Sequence, residues 1–215
     1  MYLLTETASP FALERWAAFF ANFGQFAKGF FYTLGISIGA LIVALLLGLI
    51  FGAMSSTHNK VLRGISRVYV EIFQNTPLLV QFVVVFYGIS ILTDGHVMIP
   101  ISMTAILCVG VYTGAYISEI IRTGIEAVPK GQTEAALSQG FTYADTMRII
   151  ILPQAVRTIL PPLTNQVVNL IKNTSTVAII SGADIMFTAK AWAYDTTNYV
   201  PAFAGAAFLY FIMCF

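Results

Sequence analysis

From Phe30 to Ser55 the chain carries no charged residue. A helix needs roughly 20 consecutive apolar residues to cross a bilayer. Lipid cannot hydrogen-bond a backbone, so such a run must satisfy its own N–H and C=O groups, which selects an α-helix. That one stretch sets the expected class, an all-α integral membrane protein. Composition agrees: 58% of the 215 residues are apolar and 10% are charged, too few charges to cover a water-facing domain. The formal net charge of +1 leaves no electrostatic footprint for nucleic acid. Cys108 and Cys214 sit in apolar runs and read as reduced residues rather than a disulfide. No charged segment and cleavage site open the chain, so a removable signal peptide is not expected.

Apolar length and helix breakers divide the chain as one permease domain, 1–215. Residues 11–28 mix Glu14, Arg15 and Lys28 with Trp16, Phe19, Phe20, Phe23 and Phe26, an interfacial amphipathic helix. Spans are expected at 30–55, 69–92, 101–122, 163–180 and 201–215, with a cytoplasmic loop at 129–153. The first carries Gly35-x-x-x-Gly39 and Gly48-x-x-x-Gly52, and the third Gly110-x-x-x-Gly114. Such spacings let helices approach closely, although glycine is also common in membrane helices generally. Asn75-Thr76-Pro77 interrupts the second span, since proline removes a donor and disfavours helix before it. Asp184 to Tyr199 reads as a loop or short re-entrant piece. The last run reaches Phe215 after about 15 apolar residues, short of a full span, which raises the expectation that the natural chain runs further.

Basic residues near span ends set orientation. Lys60, Arg63, Arg67, Arg122, Lys130, Arg148 and Arg157 fall on one side, seven of the eleven. Arg15, Lys28, Lys172 and Lys190 fall on the other, among Glu6, Glu14, Asp94, Asp184 and Asp195. The richer side is cytoplasmic, which places the 129–153 loop inside and the N-terminus outside.

That loop holds Glu134-Ala135-Ala136-Leu137-Ser138-Gln139-Gly140 and then Ile150-Ile151-Leu152-Pro153. A first helix is expected over Gln132–Gln139, with Thr133 near its cap and Gly140 taking a positive φ. Thr142-Tyr143-Ala144-Asp145 is a capping-box variant opening a second helix that ends near Leu152. Small Ala135 and Ala136 offer a flat face to a groove on a partner, and Glu134 offers a charge. An ordinary interfacial helix packed under the bundle is an equally good reading of these residues alone.

The loop spacing resembles the EAA loop of bacterial ABC-importer permeases. Further blocks stand in order around it: Phe73-x-Asn75-Thr76-Pro77-Leu78-Leu79-Val80-Gln81, Tyr116-x-x-Glu119-x-x-Arg122-x-Gly124-Ile125, Leu152-Pro153-Gln154-Ala155-x-Arg157, and Lys172-x-Thr174-Ser175. Together, over about Gly29 to Ile180, they resemble the permeases for polar amino acids of the histidine, glutamine and arginine uptake type. The resemblance implies a type I ABC-importer permease-like fold in a bacterial inner membrane. About five transmembrane helices are expected, with a coupling helix between the third and fourth. It implies that Glu134, Ala135, Ala136 and Gly140 meet an ABC ATPase dimer. It also implies a second permease chain, identical or related, and an extracytoplasmic substrate-binding protein. Gln74 stands where the family usually has Arg, Ser118 where it has Ala, and Gln139 where it has Leu. The basic tail that commonly ends the family is missing from these residues.

Polar side chains inside spans are costly and mark pathways. Asn165, Asn169, Lys172 and Asn173 recur on one helical face, and Glu71, Gln74 and Asn75 gather around Pro77. Amides can donate and accept, Lys172 can hold a carboxylate, and Glu71 or Glu119 a cation. These are the candidate lining for an amino acid substrate, with helix-to-helix hydrogen bonding the competing reading. Glu119 and Arg122, at i and i+3, read first as an ion pair. Tyr112 and Tyr116 read as packing residues. No Gly-rich phosphate loop is present, so the chain is expected to hydrolyse nothing and carry no cofactor, ATP-Mg being held by the partner ATPase. No metal is expected, because His58 and His96 are isolated. A proton-coupled secondary transporter using Glu71 or Glu119 is the rival class, but it requires inverted repeats that the chain does not display. A membrane scaffold or sensor without transport is a second rival.

Overall fold

The computed structural model describes residues 9–215; Glu6, counted above with the outer charges, lies outside them. Those residues form helices and turns, with no strand among them. The first helices are α1, Leu13–Ala21, and α2, Phe23–Ser55. The expected interfacial helix over 11–28 therefore divides: Asn22 caps α1, its side chain donating to the Ala18 carbonyl at 2.9 Å. The residues from Phe23 join the long apolar helix instead.

Helix α3, Lys60–Gln74, is capped by Asn59, whose side chain accepts from the Val61 and Leu62 amides. It starts well before Tyr69, the expected edge of the second span. The break at Asn75–Pro77 is real, and the chain bends there by 96°. Beyond it come α4, Leu78–Val83, a π-helical stretch Val84–Gly88, and α5, Ile89–Leu92. Helix α6, Ile101–Glu126, follows, then α7, Lys130–Ser138, and the short α8, Tyr143–Asp145.

From α8 the chain does not stop at Leu152. A π-helical turn, Thr146–Ile151, leads straight into α9, Leu152–Asn173, and a 3-10 stretch continues it to Ile180. The expected boundary between a loop helix and a span beginning at 163 is thus absent, although Pro161 and Pro162 lie inside α9. The Gln154 side chain donates to the Ile150 carbonyl at 2.8 Å. Residues expected as a loop near 184–199 form α10, Ile185–Thr196, and α11 spans Tyr199–Cys214.

By length and composition α2 and α6 are able to cross a membrane, and the bent pair from Lys60 to Leu92 makes a third candidate span. Two compact units result. One contains Gly39–Gln81 and Ile106–Leu170. In it the glycine spacings form a seam between α2 and α6. A Cβ at Gly39 would meet Ile106 at 2.8 Å, and one at Gly110 would meet Val43 at 2.7 Å. Gly48 faces Ile117 and Gly52 faces Ile121 in the same manner, whereas a Cβ at Gly35 would meet no described residue within 4 Å. The other unit gathers the segment up to Ile38, Phe82–Ala105 and Ile171–Phe215. Its core holds Phe19, Phe26, Trp192, Ala202, Ala206 and Leu209. Phe19 and Phe26 lie 4.8 Å apart, and Trp192 sits edge-on to both, geometry that adds about 1 kcal/mol per aromatic pair.

Candidate functional site

The loop after α6 supplies one surface. Helix α7 begins at Lys130 behind Pro129, earlier than expected, so Thr133 lies inside it. Its end is closed by two turns of hydrogen bonding. The Gly140 amide donates to the Leu137 carbonyl at 3.0 Å and the Phe141 amide to Ala136 at 3.1 Å. Gly140 has φ +86°, which glycine adopts without steric cost. Thr142 then accepts the Asp145 amide at 3.2 Å and donates to Asp145 Oδ2 at 2.5 Å, opening the next helix.

Helix α7 packs on the π turn Thr146–Ile151. That contact turns Ala136 inward, to 3% exposure. Ala136 was expected on the partner-facing surface; it is part of the support for the helix instead. Glu134, Ala135 and Gly140 are exposed, as is Leu137.

A cleft of about 570 Å³ is walled by the end of α2, by α3 and by α6. Arg63, Arg67 and Arg122 face it with Glu71, Glu119 and Glu126. Arg67 Nε meets Glu71 Oε1 at 2.7 Å. Arg122 grips Glu119 with two nitrogens, one at 2.9 Å, and reaches Glu126 at 2.5 Å. Such half-exposed pairs add little stability, but they leave the lining with both signs of charge. Gln74 also lines this cleft, and its amide donates to the Ala115 carbonyl at 3.2 Å.

This chain matches the family described as binding-protein-dependent transport system inner membrane component over residues 44–215. The chain belongs to that family. It is a membrane permease component for transport and not an enzyme. A probable glutamine ABC transporter permease protein, GlnM of Bacillus subtilis, is 37% identical over 90% of this chain and 88% of its own length. The glutamate/aspartate import permease protein GltJ of Escherichia coli is 34% identical over 79% and 76%. Among solved structures, an amino acid ABC transporter with histidines gives a TM-score of 0.85 at 32% identity, covering 93% of this chain and 92% of that one. The chain is thus a permease component of an ABC amino acid importer with the corresponding all-helical fold.

In this permease the expected pathway residues do not form one group. Glu71 and Gln74 share the cleft with Glu119. Asn75 is exposed and ends α3, its side chain donating to the Glu71 carbonyl at 2.8 Å. Asn165 and Asn169 lie exposed on α9, and Asn173 is half-buried at its end. Lys172 lines a separate cleft of about 300 Å³ with Ser175, Met186 and Tyr210. The Tyr112 and Tyr116 hydroxyls are 3.2 Å apart. Among the described residues no three metal-ligating side chains come together.

Two groupings escaped the sequence. Arg63, Arg67 and Glu126 join the mixed-charge cleft; their helical spacing to Glu71 and Arg122 was the available signal. Asp184 is fully buried and caps α10, accepting the Met186 and Phe187 amides at 3.1 Å. Loss of solvent pushes its carboxyl up to about 6, while those amides and the Tyr210 hydroxyl pull the other way. Thr33 completes the group by accepting the Ile185 amide at 3.1 Å. The pattern Asp184 before an apolar helical run was a cap signal that a loop assignment overrode.

Proposed function

We propose that this chain forms the translocation pathway for polar amino acids in an ATP-driven importer and couples to a separate ATPase through α7. The carrying observation is the glycine-closed α7, exposed at Glu134 and Ala135, packed on a π turn that continues into α9. A push on α7 has a contiguous helical route into the bundle. Two permease chains, a homodimer or a pair of related subunits, enclose the path, since the few spans of one chain offer too little wall for a gated pathway. An ATPase dimer carrying ATP-Mg sits beneath Glu134, Ala135 and Gly140, with Ala136 bracing the helix from within. An extracytoplasmic binding protein delivers substrate, and this chain needs no cofactor of its own. The N-terminus is outside, in keeping with seven of eleven basic residues on the opposite side.

Substrate passes between polar groups of the two chains. Glu71, Gln74 and Asn75 serve the cytoplasmic part, and Asn165, Asn169, Lys172 and Asn173 the face of α9. The relatives are a glutamine and a glutamate/aspartate permease, which supports a polar amino acid as cargo.

The test is uptake by the complex reconstituted with its ATPase and binding protein, across a panel of amino acids. The expected result is ATP-dependent uptake, with hydrolysis requiring the ATPase subunits and rising with loaded binding protein. Uptake that survives ATP depletion and collapses with the proton gradient would contradict it.

A further inference from the structure

Within one compact unit, the start of α2, the 3-10 stretch after α9, α10 and α11 converge on Asp184. Gly29 brings the α2 backbone onto the first turn of α10: a Cβ there would meet the Asp184 carbonyl oxygen at 3.2 Å and Thr188 Oγ1 at 2.9 Å. Thr33, one turn further along α2, donates to the Gly29 carbonyl at 2.9 Å while accepting the Ile185 amide. Thr174, on the 3-10 stretch, donates to the Ile171 carbonyl at 2.6 Å. Both threonine hydroxyls also lie within bonding reach of the Tyr210 hydroxyl. Thr33, Thr174 and Asp184 are fully buried.

This cluster is short of positive charge. The titratable groups that face Asp184 are Tyr32 on α2 and Tyr210 on α11, and neither is a cation. Lys172 shares a cleft with Tyr210, but no salt bridge joins it to Asp184 among the described residues. A buried carboxylate without a cation is costly. Donors to a charged carboxylate draw in to about 2.7–2.9 Å from N–H and about 2.5–2.7 Å from O–H. The bonds to Asp184 are longer, 3.1 Å from Met186 and from Phe187 and 3.2 Å from Tyr210, the spacing of a neutral acid. A proton also completes the hydrogen bonding. With it off, Tyr210 donates to the carboxylate. With it on, Asp184 donates to Tyr210, and the Tyr210 hydrogen turns to a lone pair of Thr33 or Thr174. Burial pushes the carboxyl up to about 6, so the proton comes and goes in mildly acidic water. The cleft of about 300 Å³ that Tyr210 lines brings that water close.

We infer that Asp184 is a proton-binding site, and that its proton latches the start of α10 to α2, to the 3-10 stretch and to α11. The closed cluster holds the proton more tightly than an opened α10 does, because opening returns the carboxyl to water. The latch is therefore whole below the ordinary carboxylate range and weakens as pH rises through about 6. Met186, in the first turn of α10, lines the same cleft as Lys172, so rising pH loosens one wall of that cleft. The latch is a property of this chain alone and does not depend on the importer reading.

The experiment uses the full chain in lipid nanodiscs, labelled with carbon-13 aspartate. Infrared spectra at pH 5 are expected to show a label-sensitive carbonyl band of a protonated acid that fades by pH 7 and is missing from Asp184→Asn. Tyr210→Phe removes a donor to the ionised form, so the midpoint of fading should move to higher pH. Hydrogen exchange at the Met186 and Phe187 amides, corrected for the intrinsic rate, should rise about tenfold from pH 5 to pH 7 in wild type, the change expected for opening linked to this proton. It should stay level in Asp184→Asn. Absence of the label-sensitive band at pH 5 would overturn the proton site, whether or not Asp184→Asn folds. A midpoint that Tyr210→Phe leaves in place would overturn the pairing of Asp184 with Tyr210. Exchange in wild type that does not change with pH would overturn the latch.

Discussion

The Tyr210 hydroxyl donates to Asp184 Oδ2 at 3.2 Å, joining α11 to the cap of α10. No salt bridge involving Asp184 is found among the described residues; its carboxyl accepts from the Met186 and Phe187 amides and from the Tyr210 hydroxyl. Burial raises its pKa to about 6 from 3.8, so between those values the folded chain holds a proton that the unfolded chain has released. Stability is therefore fullest below the lower value and falls as pH rises through about 6, by about 3 kcal/mol in all. Asp184→Asn keeps a capping side chain and removes the titration. Melting of the detergent-solubilised protein from pH 4 to pH 7 should show a declining midpoint in wild type and a flat one in Asp184→Asn.

A Cβ on Gly205 would fall onto the ring of Phe19. Gly205→Ala forces that buried ring aside, and overpacking of this kind costs about 1–3 kcal/mol. Phe19→Leu alone also destabilises, by opening space beside Phe26 and Trp192. Combined, the two should cost less than their sum, because the smaller side chain admits the new methyl. Thermal melts of the two single variants and the double variant measure that coupling directly.

Gly140 is a different case. Nothing lies within 4 Å of a Cβ placed there, and only its φ of +86° resists a side chain. Gly140→Ala should cost about 1 kcal/mol locally, while Gly140→Asn, which tolerates the left-handed region, should cost less. ATP-driven uptake by the assembled complex is expected to fall in the order glycine, asparagine, alanine.

These contrasts show what was legible before any coordinates. The uncharged run Phe30–Ser55, the break at Pro77 and the positive φ at Gly140 each follow from one local rule, and each appears. The expected helix end near Leu152 and span start at 163 do not appear, because the π turn Thr146–Ile151 runs directly into α9, which holds Pro161 and Pro162 in its interior. Asn22 misled in the opposite direction, dividing an amphipathic pattern that looked continuous. The burial of Ala136 and Asp184 depends on which neighbour each helix meets, and no local pattern encodes that. For the same reason Glu71, Gln74 and Glu119 could be nominated singly, while their joint cleft with Arg63 and Arg67 could not.

The most direct measurement of the coupling claim is site-specific cross-linking from α7 in the assembled, co-expressed complex. Ala135→Cys, exposed in this chain, should form a cross-link to the ATPase subunit that an ATP-bound state alters, and should be shielded from membrane-impermeant reagents added outside the cell. Labelling of position 135 from outside, with no cross-link to any nucleotide-binding subunit, would contradict the account.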